Sequence, residues 1–192
     1  MKTTIIEQTY KWGGTIVKRS ETQYIILHHR AGDGDAQSIH ELHLDRGYTG
    51  IGYNFYVRKD GKIYRGRPID AVGAHCIGKN NVSVGVCFEG NFENETMPDT
   101  QIKAGCGLIS YLKQVYPKAE VKKHSDFGAT ACPAKNFPFE TIKKGGITMT
   151  VDEAKKIIKE RANLEENTIN FLLCYKYGDE LIVKLAKAIK GA

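Results

Sequence analysis

The chain has 192 residues, 28 Lys/Arg against 22 Asp/Glu and a net charge of +6. That length makes one full domain plus a small appendage, enough to bury a core without covalent staples. Five cysteines, an odd number with no Cys-x-x-Cys pair, fit synthesis in a reducing compartment. The surplus of positive charge suits a polyanionic partner (nucleic acid, an anionic wall polymer or a membrane surface) or else ordinary solubility.

Residues 1–22 are polar, interrupted by Trp12-Gly13-Gly14, and read as an extended arm. They lack the apolar core and cleavage site of a secretory signal, and no later run is long enough for a membrane span. Tyr24-Ile-Ile-Leu-His28-His29 is a β-branched apolar strand that ends abruptly in two histidines. Ser38 to Arg46 reads as a helix with Ile39 and Leu42 inward, stopped by Gly47. Tyr53–Arg58 and Lys62–Gly66 alternate on either side of Lys59-Asp60-Gly61, a hairpin signal. A glycine-rich loop, Ile69–Asn81, leads to the apolar strand Val82–Gly90, in which Cys87 acts as a small core hydrophobe. Thr100–Tyr116 spaces Ile102, Cys106, Ile109 and Leu112 along one helical stripe, ended by Pro117. Val121–His124 is a last short strand. Strands alternate with helices, so the class is α/β: a central mixed β-sheet, mixed because of the hairpin, flanked by helices.

Gly145-Gly146 marks a boundary between a unit spanning 1–144 and a small all-helical segment, 147–192. In the latter, Thr150-Val-Asp-Glu153 forms a capping box opening a helix through Ala162. Asn167–Tyr177 is a second helix, and Asp179 caps a third ending near Gly191.

Chemistry concentrates in His124-Ser-Asp-Phe-Gly128-Ala-Thr130-Ala-Cys132-Pro133. A short loop pinned by Gly128 and Pro133 can bring an imidazole and a thiol onto one atom, and zinc accepts that nitrogen and sulfur pair. The third donor is His28 or His29, because a strand that alternates its side chains cannot aim both at one point. Three protein donors is the count of a catalytic zinc that keeps one position for water. A cysteine hydrolase pairing Cys132 with His124 is the competing reading. Asn80 and Asn81 either meet a substrate or make a turn, and Glu89 shares the face of Cys87 as a site carboxylate or a solvated one.

The ordered set Ile-Leu-His28-His29, Gly52-Tyr53-Asn54-Phe55, Ala71-Val-Gly-Ala-His75 with Asn80-Asn81, Val84-Gly-Val-Cys-Phe-Glu-Gly90 and His124-(seven residues)-Cys132-Pro133 resembles the type 2 N-acetylmuramoyl-L-alanine amidases. That family includes phage lysozymes of the amidase kind and the animal peptidoglycan recognition proteins. The resemblance covers about residues 20–142. It implies that His28, His124 and Cys132 hold Zn2+ and that Tyr53 lies beside the reacting water. Thr130 falls where similar phage enzymes carry a lysine and active recognition proteins a threonine, so a neutral donor stands in for a charged one. His29 and His75 become candidates to touch substrate, or else satisfied histidines behind the ligands or at the surface; Asn80 and Glu89 join them as substrate candidates, the last because some members place a glutamate where Cys87 stands.

The implied function is zinc-dependent hydrolysis of the amide between N-acetylmuramic acid and L-alanine in bacterial peptidoglycan. The implied carrier is an endolysin from a phage or prophage of a Gram-positive host, made in the cytoplasm without a signal and released through a holin. A non-catalytic recognition module is the alternative. Partners are then peptidoglycan and anionic wall polymers, with no nucleic acid and no membrane insertion. The tail resembles the short C-terminal segments of such lysins, serving as wall anchor, as the contact of a homo-oligomer, or as a bundle packed on the catalytic unit.

Overall fold

The computed structural model describes residues 3–145, 151–175 and 178–191. The apolar run ending in two histidines is the strand on which the sheet is built. In chain order the elements of the larger unit are β1 (Ile5–Ile6), β2 (Tyr24–His29), α1 (Ala36–Asp45), β3 (Phe55–Val57), β4 (Ile63–Arg65), β5 (Ser83–Phe88), α2 (Asp99–Val115), β6 (Glu120–Lys123) and α3 (Phe139–Lys143). The six strands lie in the order β1-β4-β3-β5-β2-β6. Every pair is parallel except the β3–β4 hairpin. With β5 on one side and β6 on the other, β2 is paired along both edges, which is why its sequence is almost continuously apolar.

The two-residue period of β2 sorts its side chains. Ile25 and Leu27 point into the larger core with Val84, Val86, Phe88, Leu108, Ile109, Leu112 and Ile142. His28 therefore faces the other side, beside Cys87 in register, where Ala36 and Ile39 of α1 pack with Tyr10, Ile51 and Tyr56. That second layer is thinner, and the end of β2 opens there.

Several expectations need correcting. The arm is not free: Ile5–Ile6 adds to the exposed edge of β4, Tyr10 is buried, and Lys18 bridges to Ala71. A two-residue strand carries no period to read. In α1 the Asp35 carboxylate caps the first turn by accepting the Ser38 N–H at 2.8 Å. The buried stripe is Ala36, Ile39, His40 and His43, while Leu42 is 38% exposed. Two histidines, not a leucine, fill the inward face because each finds a backbone partner there.

In α2 the expected stripe packs on the core, Ile109 and Leu112 buried and Ile102 and Cys106 half-buried, while Gln101, Gly105 and Leu108 widen the buried face. Gln101 Nε2 donates to the carbonyls of Val57 and Glu89 at 3.0 and 2.9 Å, and a Cβ on Gly105 would stand 2.7 Å from the Phe88 ring.

The chain divides into two compact units, Met1–Gly146 and Ile147–Ala192. The second contains α4 (Val151–Ala162), α5 (Glu166–Leu173) and α6 (Gly178–Gly191) around Ala154, Ile158, Ile169, Ile182 and Ala186. Thr150 of the expected capping box and Tyr177 of the expected second helix lie outside the described residues. Asp179 stands inside the first turn of α6 rather than capping it, since the helix already begins at Gly178.

Urea unfolding checks the corrected face of α1. Ile39→Ala should cost about 2–4 kcal/mol, whereas Leu42→Lys should cost less than about 1 kcal/mol. The reverse order would restore the leucine to the core.

Candidate metal centre

His28 stands at the end of β2, fully buried, and cannot move without the sheet. His124 opens a single 3-10 turn, His124–Asp126, directly after β6, the other neighbour of β2. The loop carrying Cys132 is tied back to that turn. The Ser125 N–H donates to the Cys132 carbonyl at 2.9 Å, Asp126 accepts the Lys123 N–H at 2.9 Å, and Thr130 Oγ1 accepts the Cys132 N–H at 3.2 Å. The result brings donor atoms of His28, His124 and Cys132 within 4.8 Å of one another.

Cys132 Sγ lies 3.8 Å from His28 Nδ1, and the two imidazole rings are 4.5 Å apart. Tetrahedral zinc with ordinary Zn–N and Zn–S bonds spaces such donors about 3.5 Å apart, so a small inward adjustment closes the set. No carboxylate takes part, and the donor set is the soft and borderline one that zinc favours. The residues present fit the ion.

Electrostatics point the same way. Burial, reinforced by His75 and His124, pushes His28 well below the ordinary imidazole value, and burial also lowers His124. Both rings are neutral at pH 7, with a lone pair to give. Burial pushes the Cys132 thiol up to about 11, although the backbone N–H of His29 bonds to it and pulls the other way. A protonated thiol among neutral imidazoles becomes a thiolate ligand when a divalent cation displaces its proton.

Tyr53 joins the centre from the residues before β3. Its ring is 5.1 Å from that of His28, and the buried Cys87 thiol is a near neighbour of its hydroxyl. Burial, followed by Cys87 and Cys132, raises the phenol well above its ordinary value, so it remains a neutral O–H donor. Thr130 is exposed, and its hydroxyl oxygen is taken by the Cys132 N–H while its proton is free to donate.

The other candidates divide. His75 is brought against His28, with Nδ1 3.0 Å from His28 Nε2. His29 faces the opposite side of the sheet, stacked on Phe92 at 6.2 Å with Nδ1 accepting the Phe92 N–H, and reaches Cys132 only through its peptide N–H. Asn80 is turned inward: its Oδ1 accepts the N–H groups of His75 and Cys76 at 2.8 and 2.9 Å, which makes it a brace for that loop.

Glu89 is not available to a substrate. It is buried, and its oxygens accept from Gly34 N, Lys59 N and the Arg58 guanidinium at 3.0 to 3.1 Å. Burial alone would raise this carboxyl, but Arg58 and the two peptide donors outweigh it and hold the carboxyl below its ordinary value. The shared face with Cys87 is real. The strand has by then run past the centre and met the hairpin.

Sequence reading passed over His40 and His43. His43 Nδ1 accepts the Gly52 N–H at 2.9 Å and its ring lies 5.8 Å from that of Tyr53, so it fixes the backbone just before the tyrosine. Burial pushes it down to about 4, keeping it neutral. His40 Nδ1 accepts the Ile51 N–H at 3.2 Å. Their spacing with Ala36 and Ile39 on one helix face was the available signal.

Two imidazoles at the ends of parallel strands and a thiol on the loop that follows define a candidate mononuclear metal centre on an α/β scaffold. Comparison with known proteins names its lineage: residues 18–135 match the N-acetylmuramoyl-L-alanine amidase family, and the chain belongs to it. Among relatives, it is 35% identical over 144 residues to the endolysin of Enterobacteria phage K11, an alignment covering 70% of this chain and 94% of that protein. It is 32% identical over 152 residues to peptidoglycan-recognition protein SC2 of Drosophila melanogaster, covering 70% and 82%. Among solved structures it superposes on the N-acetylmuramoyl-L-alanine amidase LysC from Clostridium intestinale URNW with a TM-score of 0.71 and 42% identity, covering 73% of this chain and 95% of that one.

Two measurements check this geometry. Calorimetric zinc titration at pH 7.5 in buffers of different ionisation enthalpy should show one metal per chain and release of about one proton, the thiol's. Glu89→Ala should lower stability by about 2–4 kcal/mol and leave zinc affinity unchanged. Because the folded carboxyl titrates below its ordinary 4.5, its contribution is present at neutral pH and lost on acidification below that value. Lost zinc with unaltered stability would return Glu89 to the site.

Proposed function

We propose that the protein is a zinc-dependent N-acetylmuramoyl-L-alanine amidase that lyses cell walls as an endolysin. The convergence of His28, His124 and Cys132 beside Tyr53 carries the reading, and the endolysin and amidase relatives support it. Zinc held by these three residues supplies Lewis acidity that activates water near neutral pH and polarises a carbonyl.

The chain's own groups do the rest. Hydrolysis adds water across the lactyl amide: the carbonyl carbon gains an oxygen, the C–N bond breaks, and the L-alanine amine leaves with a proton. Tyr53, kept neutral by burial, donates its O–H toward the oxygen that gains charge or orients the attacking water. Thr130 supplies a second, uncharged donor whose oxygen is already anchored. His28 is buried beneath these groups, and its removal from water strengthens the interactions its ring makes.

Catalysis is assigned to residues 1–144. The helical unit, 147–192, is assigned to wall attachment or self-association, with Phe171, Tyr175 and Leu181 exposed on it. The substrate surface is the peptidoglycan of the host wall, with anionic wall polymers as a secondary attraction for a chain of net charge +6. Action follows release from the cytoplasm to the wall.

A cysteine hydrolase is disfavoured because a nucleophilic thiol needs a depressed value, and burial drives that of Cys132 to about 11. A purely recognising module would have no use for the thiol ligand.

Digestion of purified walls tests the reading. Activity should vanish with a chelator and return with zinc, releasing N-terminal alanine without new reducing sugars. New reducing ends would reassign the enzyme to glycan hydrolysis. Cys132→Ser should lose both zinc and activity, whereas Tyr53→Phe should keep zinc and lose about 10²–10⁴-fold in kcat. A fully active Tyr53→Phe enzyme would remove the phenol from the reaction.

A further inference from the structure

His75 is buried, and nothing about its position resembles a group waiting for substrate. Its imidazole lies in a slot between Gly73 and Gly85, where a Cβ on either glycine would overlap the ring. The loop bearing it is pinned by Asn80 Oδ1, which accepts two consecutive peptide N–H groups, those of His75 and Cys76. Its Nδ1 is 3.0 Å from His28 Nε2, its Nε2 is 3.5 Å from Ser83 Oγ, and that hydroxyl donates to the Lys79 carbonyl at 2.6 Å.

Proton positions along this row follow from its two ends. His28 turns Nδ1 toward Cys132 Sγ, 3.8 Å away, so the lone pair that meets a metal is on Nδ1 and the ring proton must be on Nε2. That proton points at His75 Nδ1, which must then be the acceptor, leaving the His75 proton on Nε2. The Ser83 hydroxyl has already given its proton to Lys79, so it presents a lone pair to His75 Nε2. Every donor faces an acceptor in only one assignment of protons.

We propose that His75 is a positioning residue: through its Nδ1 it holds His28 in the tautomer and ring orientation that present Nδ1 to the metal, with Ser83 and Lys79 fixing the tautomer of His75 in turn. The inference rests on the zinc reading above and concerns the residue that makes His28 a ligand in advance of the ion. An imidazole that must choose its tautomer and rotate on binding loses affinity, and partners of this kind are worth about 10–100-fold in metal binding.

The test is zinc affinity of the full chain, by competition with a chromophoric chelator, together with the visible spectrum of the cobalt-substituted protein. His75→Leu keeps the bulk and removes the acceptor, so zinc should bind about 10–100-fold more weakly and the cobalt bands should shift. His75→Asn returns an oxygen near the place of Nδ1 and should restore affinity to within about threefold, a rescue that a packing role would not produce. Should the leucine variant not fold, Ser83→Ala decides, with an expected loss of several-fold in zinc affinity from tautomer scrambling. Leucine or alanine variants that bind zinc as tightly as the parent, with an unshifted cobalt spectrum, would overturn the role of His75. A parent protein that takes up no zinc would instead overturn the amidase reading itself.

Discussion

Everything in the larger unit depends on the parity of β2. Odd residues of that strand, Ile25 and Leu27, enter the deep core against α2 and α3, and even residues face the other side of the sheet, where His28 lies beside Cys87 of the thinner cluster. A shift of register by one would bury His29 at the centre and turn His28 against Phe92, which the double pairing with β5 and β6 forbids. The same pairing sets Cys87 beside His28, and it brings the residue after β6, His124, to the same edge. A donor that arrives on a doubly paired strand loses almost no further freedom when it binds an ion.

The second consequence is electrostatic. His28, His75, His124, Cys132 and Tyr53 are all driven toward their neutral forms, chiefly by burial. Glu89, the carboxylate nearest along the strand, is neutralised by Arg58 and two peptide donors at the end of the hairpin. A pocket of neutral donors with one displaceable thiol proton holds no internal cation to repel a metal ion. Its charge would be set by a bound metal and the thiolate, and the phenol of Tyr53 stays undissociated beside them.

Much of this was legible in the amino-acid order, and the failures share a cause. The strand at Tyr24–His29, the hairpin, the long helix and the His124–Cys132 loop carry local signals: an apolar run with a polar end, a Lys-Asp-Gly turn, a helical period and a fixed separation of two donors. What escaped was polar and non-local. Gln101, His40 and His43 occupy buried faces because carbonyls and N–H groups outside their own helices satisfy them, and a count of apolar residues cannot see such partners. Glu89 was assigned the correct face, but its partner Arg58 lies 31 residues away. The residues alone left His28 and His29 as alternatives for the same reason, since the neighbouring strands set which of them meets His124 and Cys132.

X-ray absorption at the zinc edge of the purified, active protein tests the central claim most directly. Two nitrogen scatterers near 2.0 Å, one sulfur near 2.3 Å and a single further light atom should account for the first shell at about one zinc per chain. A first shell without sulfur, or an active protein without zinc, would contradict it.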